Sequence, residues 1–301
     1  MKVILLGTAA GGGFPQWNCW CPTCRTARLD PSMAHPRTQS SVAVSANGSN
    51  WFLLNASPDV RTQLGRLPHP TGPAARHVPI DGIVFTDAEL DHTLGLVLLR
   101  EAGRLTVWAT DAVVRTMEHE SRVLAVTRAF ADVPAVPLPP GHAVALTLRD
   151  GTSSGLTVEA FEVAGHPPRF DSGATPSGHT VGLLLRDAGG ACCAYVPGCG
   201  AFDEPLAERL AIASLVLFDG TFWSSDELVS RGFSTRDAHA MGHLPIGGTG
   251  GSLARLAQLP GTAVYTHINN TNPILLENSA ERAAVEQAGM VVGRDGMEFT
   301  L

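Results

Sequence analysis

Short apolar runs alternate along the chain with clusters of Gly, Pro, Asn and Asp, and β-rich runs so bounded predict strands. They fall at residues 41–46, 51–55, 80–86, 105–109, 143–148, 180–185, 191–197, 215–219 and 263–268, with a first buried strand at Lys2 to Gly7. Asn47-Gly48 lies between two of these runs, and both residue types tolerate positive φ, so residues 41–55 should form a β-hairpin. Hairpin-like pairs dominate the first half. Helical patterns are interspersed: Pro58-Asp59 opens one, Asp111 caps a second, residues 252–259 form a third, and Asn278 or Ser279 caps a fourth that runs to Gln287. Mixed sheets covered by helices follow, an α/β fold in one domain, 1–301, with neither internal repeat nor linker. The Pro/Gly-rich stretches 68–79 and 166–178 read as mobile lids or as disordered linkers.

Composition narrows the function. A chain of 301 residues, 44% hydrophobic and 16% charged, can bury a large core. A net charge of −7 without clustered Lys or Arg excludes a nucleic-acid footprint. The first apolar run is too short for a secretory signal, and none reaches the roughly 18 to 20 residues of a membrane helix. The cytoplasm is the expected compartment, where the six Cys stay reduced and act as ligands or core residues.

Cys19, Cys21 and Cys24 lie within six residues, and the Cys-Pro-Thr-Cys portion lets two thiolates approach one zinc. Free core thiols are the plainer alternative, and that reading wins for Cys192 and Cys193 in an apolar strand. After the strand at 80–86, Asp87, Glu89 and Asp91 fall at alternate positions on one side, beside His92. Carboxylates so concentrated repel unless a cation compensates, so a metal is the natural reading and a solvated turn or helix cap the rival. His267 ends a hydrophobic strand in an Asn-rich loop, and its case rests on its companions. Asp219 ends another strand and could orient His243 as an acid/base dyad or form a buried structural hydrogen bond with it. His166, His179 and His239 are weaker candidates, and His35, His69, His77, His119 and His142 have no context that recommends them.

The run Asp87-x-Glu89-x-Asp91-His92 resembles the His-x-His-x-Asp-His metal motif of the metallo-β-lactamase superfamily. Residues 6–24, Asp219 to Trp223, Met241 to Ile246 and His267 to Pro273 are together similar, in order, to a family of coenzyme pyrroloquinoline quinone (PQQ) biosynthesis proteins within it. The resemblance implies an αββα sandwich with Asp91, His92 and His267 as the surviving metal site. Asp87 and Glu89 stand where two imidazoles of the other site would be, His166 matches that site's third ligand, and the bridging acid is missing near Gly198 or Cys199. Two His and one carboxylate is the composition of non-haem Fe(II) oxygenases, although Zn(2+) or Mn(2+) suits the same ligands. The implied activity is hydroxylation of the Tyr ring of a Glu-Tyr precursor. His243, oriented by Asp219, would move protons, and Asp87 or Glu89 would hold substrate or proton. The Cys loop is implied to be a structural zinc site whose fourth ligand, a His in related proteins, is replaced by Asn270. Rival readings are a zinc-dependent hydrolase and a carrier of PQQ or an intermediate, and a homodimer is an expected partner state.

Overall fold

A computed structural model describes residues 1–68, 76–173 and 177–301. Residues 69–75 and 174–176, with His69 and parts of both loops read as lids or linkers, lie outside the described residues. The first half forms β1 (Lys2–Gly7), β2 (Ser41–Ser45), β3 (Phe52–Leu54), β4 (Gly82–Val84), β5 (Thr106–Ala109) and β6 (Ala135–Pro137). The second forms β7 (Ala143–Thr147), β8 (Ser153–Glu162), β9 (Val181–Asp187), β10 (Cys192–Val196), β11 (Leu215–Asp219), β12 (Thr262–Thr266) and β13 (Val291–Val292). The last strand, β14 (Glu298–Thr300), returns to pair with β1.

Two seven-stranded mixed sheets result, ordered β14-β1-β2-β3-β4-β5-β6 and β13-β12-β11-β10-β9-β8-β7. The expected hairpin is present as antiparallel β2 and β3, but β3 to β6 are parallel, so hairpins do not dominate the first half. Side chains alternate across each strand. In β1, Val3 and Leu5 enter the core between the sheets while Ile4 and Leu6 face the helices outside the first sheet. Leu215 and Leu217 of β11 likewise face the intersheet core, and Val216 and Phe218 face the helices of the second sheet. A sheet covered on both faces needs apolar residues on both, which is why these strands read as unbroken hydrophobic runs.

Helices α1 (Pro22–Leu29), α2 (Val60–Leu64), α4 (Gly95–Leu98), α5 (Asp111–Arg115), α6 (Val123–Arg128), α7 (Glu204–Ala211), α8 (Ser252–Leu256) and α9 (Ala280–Gln287) cover the outer faces, while the short α3 (Leu90–Thr93) lies at the strand ends. Ser279 caps α9 by accepting from the Arg282 N–H, one of the two expected capping residues. The cap of α5 is Thr110, not Asp111, because the Thr110 hydroxyl accepts from the Val113 N–H and Asp111 sits in the first turn. Strand β8 escapes the apolar-run pattern since buried and more exposed residues alternate from Ser153 to Ala160, with Thr157 and Glu159 between Leu156, Val158 and Ala160. Helix α1 escapes it too, as its buried side is made of Thr23, Cys24 and Ala27. No helix among the described residues is long and apolar enough to cross a membrane.

Candidate metal centre

The carboxyl ends of β4, β11 and β12 open at one end of the sandwich, where α/β sheets place ligands. They deliver Asp87, Glu89, Asp91, His92 and His267 to a cavity of about 280 Å³ whose lining also includes His166, Phe222, Leu228, Met241, His243 and Asn269, and Asp219 meets His243 behind this wall.

The three acids after β4 do not act together, because the strand ends at Val84, residues 85–89 have no strand period, and α3 begins at Leu90. Both Asp87 oxygens lie 2.8 Å from Nδ1 of His92. Asp91 turns instead to Nε2 of His267, at 3.3 Å. The Glu89 carboxylate has no hydrogen-bond or ion-pair partner among the described residues and faces the cavity.

With Nδ1 committed to Asp87, His92 presents Nε2 to the interior, and this buried nitrogen has no hydrogen-bond partner. His267 is held comparably by Thr221, whose Oγ1 accepts the Nδ1 proton at 2.8 Å and donates to Asp219 Oδ1 at 2.6 Å. The backbone of His267 is left-handed, φ 54°, an uncommon conformation for a non-glycine residue that occurs at functional sites. One ligand atom each from Asp91, His92 and His267 falls within 4.8 Å of the others. An orphaned buried imidazole nitrogen beside a carboxylate and a second oriented imidazole fits a divalent metal.

Asp219, His243 and His267 form a second cluster of the same kind. Asp219 is already engaged, accepting from the Cys199 and Thr221 backbone N–H groups at 3.0 Å, from the Thr221 hydroxyl, and from His243 Nδ1 at 2.7 Å. It therefore fixes the His243 ring through Nδ1, and Nε2 of His243 has no hydrogen-bond partner among the described residues. Gly198 lines the cavity where a bridging acid would stand, so no carboxylate comes from that loop.

Electrostatics follow from burial and pairing. Burial raises the Asp91 carboxyl, but His92 and the His267 hydrogen bond outweigh it and hold it well below the usual carboxylate range. Burial works against a charged His92, yet Asp87 and then Asp91 push it up to about 9. His243 is shifted upward in the same way, with Asp219 overcoming desolvation. Glu89 moves up to about 7 through burial and then through the charges of Asp87 and Asp91.

Cys19, Cys21 and Cys24 bring their Sγ atoms within 4.8 Å of one another. The Asn270 Nδ2 group lies 3.3 Å from Cys24 Sγ and 3.8 Å from Cys21 Sγ, and the Thr23 hydroxyl donates to the Asn270 carbonyl. A hydrogen bond from the Cys24 thiol, working against burial, lowers Cys21 to about 4. Cys192 and Cys193 are buried in β10, and all six cysteines are free thiols. Thr221 and the apolar wall of Phe222, Leu228 and Met241 went unassigned in the sequence, although Asp219-Gly-Thr221 belongs to one of the four ordered segments.

Stacked mixed sheets with a carboxylate-imidazole cluster at their strand ends define a metallo-β-lactamase-type protein, and the model of the Beta-lactamase superfamily domain matches residues 50–268. Coenzyme PQQ synthesis protein B of Rhodopseudomonas palustris (strain TIE-1) is 42% identical over 318 residues, covering all of both chains. That of Gluconacetobacter diazotrophicus is 43% identical, covering all of this chain and 99% of the relative. The chain belongs to the coenzyme PQQ synthesis protein B family of this superfamily. Zn(2+)-bound PqqB from Methylobacterium extorquens is similar in structure, with a TM-score of 0.90 at 39% identity over the whole of both chains. A diphosphatase from the PhnP family shares the fold, with a TM-score of 0.68 at 19% identity, all of this chain and 97% of that one being covered.

Proposed function

We propose that this protein carries out a metal-dependent oxidation in PQQ biosynthesis, hydroxylating the tyrosine ring of a Glu-Tyr precursor derived from a peptide. The observation that carries this reading is the division of labour among the carboxylates. Asp87 holds His92 and Asp219 holds His243, so the ligand set is one carboxylate and two imidazoles, Asp91, His92 and His267. That composition suits Fe(2+), and Zn(2+) or Mn(2+) fits the same donors. A redox-active ion held there would supply the activation of O2. Hydroxylation places one oxygen atom of O2 on the ring carbon and releases the other as water, with two protons and two electrons from an external reductant.

The chain's own groups then have separable tasks. Asp87 and Thr221 fix the imidazole tautomers so that each Nε2 lone pair faces inward. His243 accepts or returns a proton at Nε2 while Asp219 stabilises its charged form. Phe222, Leu228 and Met241 offer an apolar wall to an aromatic ring. Three thiols within 4.8 Å of one another support a structural zinc, and Asn270, expected as its fourth ligand, instead turns its amide N–H group to Cys21 and Cys24 as a donor. Free thiols throughout suit a reducing compartment, the cytoplasm.

A carrier of PQQ would need an Arg-lined pocket or a metal to meet a tri-acid, and since no Lys or Arg lines the cavity among the described residues, only a bound metal would serve. Against a two-zinc hydrolase stands Asp87, already bound to His92 where that chemistry would need a ligand. Protein purified without oxygen, loaded with Fe(2+) or with Zn(2+), and given glutamyl-tyrosine, labelled O2 and ascorbate provides the test. Ring product carrying labelled oxygen with iron alone is expected. No product, together with hydrolysis of phosphodiesters or tight binding of PQQ, would replace this reading with the hydrolase or the carrier.

A further inference from the structure

Of the two acids expected to hold substrate or proton, Asp87 is bonded to His92, and Glu89 alone keeps its carboxylate open to the cavity. Glu89 enters it from the N-terminal edge of α3, fixed at its backbone by the N–H bond to Asp87 Oδ1 at 3.0 Å and by the Thr93 hydroxyl, which donates to its carbonyl at 2.9 Å. Its carboxylate stays free of both bonds. It belongs to neither set of convergent ligand atoms, which separates it from Asp91. No ion pair or hydrogen bond engages it among the described residues, whereas Asp87, Asp91 and Asp219 each have an imidazole partner. The lining contains no Lys and no Arg among the described residues, and its raised imidazoles, His92 and His243, act on Glu89 only across space while each is bonded to another carboxylate.

We infer that Glu89 is the specificity group that recognises an ammonium group on the substrate, while Phe222, Leu228 and Met241 receive the aromatic ring. This inference rests on the proposed amino-acid substrate, and it adds which part of that substrate the protein reads. A carboxylate without a bonded partner in a partly desolvated cavity attracts a cation far more strongly than in water, and an ammonium ion is satisfied by a compact acceptor without a planar partner. A ligand with the same ring but a neutral acylated nitrogen would leave the carboxylate unpaired, which is how a polar site rejects an analogue that lacks the matching group.

The test measures binding on Zn(2+)-loaded protein, where no turnover occurs, by calorimetry with L-tyrosinamide and with N-acetyl-L-tyrosinamide. Wild type is expected to bind the ammonium-bearing probe about 10- to 100-fold more tightly, the range of a charge-assisted hydrogen bond. Glu89→Gln should abolish that preference and Glu89→Asp should restore part of it, with zinc content unchanged in both. Equal affinity for the two probes, binding of neither by wild type, or a preference that survives in E89Q overturns the inference. Loss of zinc from E89Q also overturns it, because Glu89 would then be a ligand. The proposed reaction is read separately on iron-loaded protein. Absence of ring hydroxylation with the probe preference intact rejects the reaction and leaves Glu89 as a cation site, whereas hydroxylation without any preference rejects only the role of Glu89.

Discussion

Asp87 offers both carboxylate oxygens, each 2.8 Å away, to Nδ1 of His92. This contact turns a titratable ring into a donor with one defined lone pair, since a proton held on Nδ1 leaves Nε2 to coordinate. Carboxylates in this position around metal-bound histidines typically tune affinity by about 10- to 100-fold. Asp87→Asn keeps the size but reverses part of the hydrogen bonding. Its expected effect is a loss of metal affinity in that range, read by competition with a chelator while the circular dichroism spectrum stays native. Unchanged affinity would mean that His92 needs no orientation from Asp87.

His92→Ala and His267→Ala should each empty the active-site position and leave folding largely intact, because a catalytic site adds little to the core. Cys21→Ala should lower stability by roughly 2 kcal/mol or more, several degrees in Tm, since the structural zinc proposed there would contribute folding free energy. Metal analysis with thermal melts of the three variants separates the sites. Folding lost in the histidine variants and kept in the cysteine variant would reverse the two assignments.

Gly95 begins α4 just after His92, and a Cβ there would fall 2.3 Å from the Ser57 carbonyl oxygen and 2.6 Å from that of Ala56. The same backbone junction carries the hydrogen bond from Ala56 N–H to the His92 carbonyl at 2.7 Å. Gly95→Ala must therefore push the His92 segment away from the end of β3. A destabilisation of about 1 to 3 kcal/mol, the usual cost of overpacking, and a weaker metal site are expected together. Stability lost without any change in metal affinity would show that the junction does not position His92.

Glu227 lies buried between Thr271, whose hydroxyl donates to it, and the Trp223 N–H at 2.8 Å. Burial is the main cause that raises its carboxyl from 4.5 to about 7. Between those values the native state binds more protons than the unfolded chain, so stability falls as pH rises from about 4.5 through about 7. The slope integrates to something on the order of 3 kcal/mol. In Glu227→Gln that contribution is missing, and the difference between melts at pH 5 and pH 8 should shrink accordingly. An equal difference in both proteins would assign the slope to other groups.

Local pattern carried much of this protein. The run Leu215 to Asp219 is a strand to the residue, Asn47-Gly48 joins a hairpin, and the spacing of Cys19, Cys21 and Cys24 was enough to bring three thiols together. Each of these depends on residues close in sequence, where side-chain period and chain reach decide the outcome. The distribution of roles among Asp87, Glu89 and Asp91 was not legible, because the strand ends at Val84 and a helix begins at Leu90, which sends each carboxylate a different way. Nor was the part of Thr221, which bonds a ring 46 positions later, or the meeting of Asp91 with His267 across 176. Those contacts exist only once the two sheets stack and their strand ends converge, and packing at that range leaves no mark on the residues nearby.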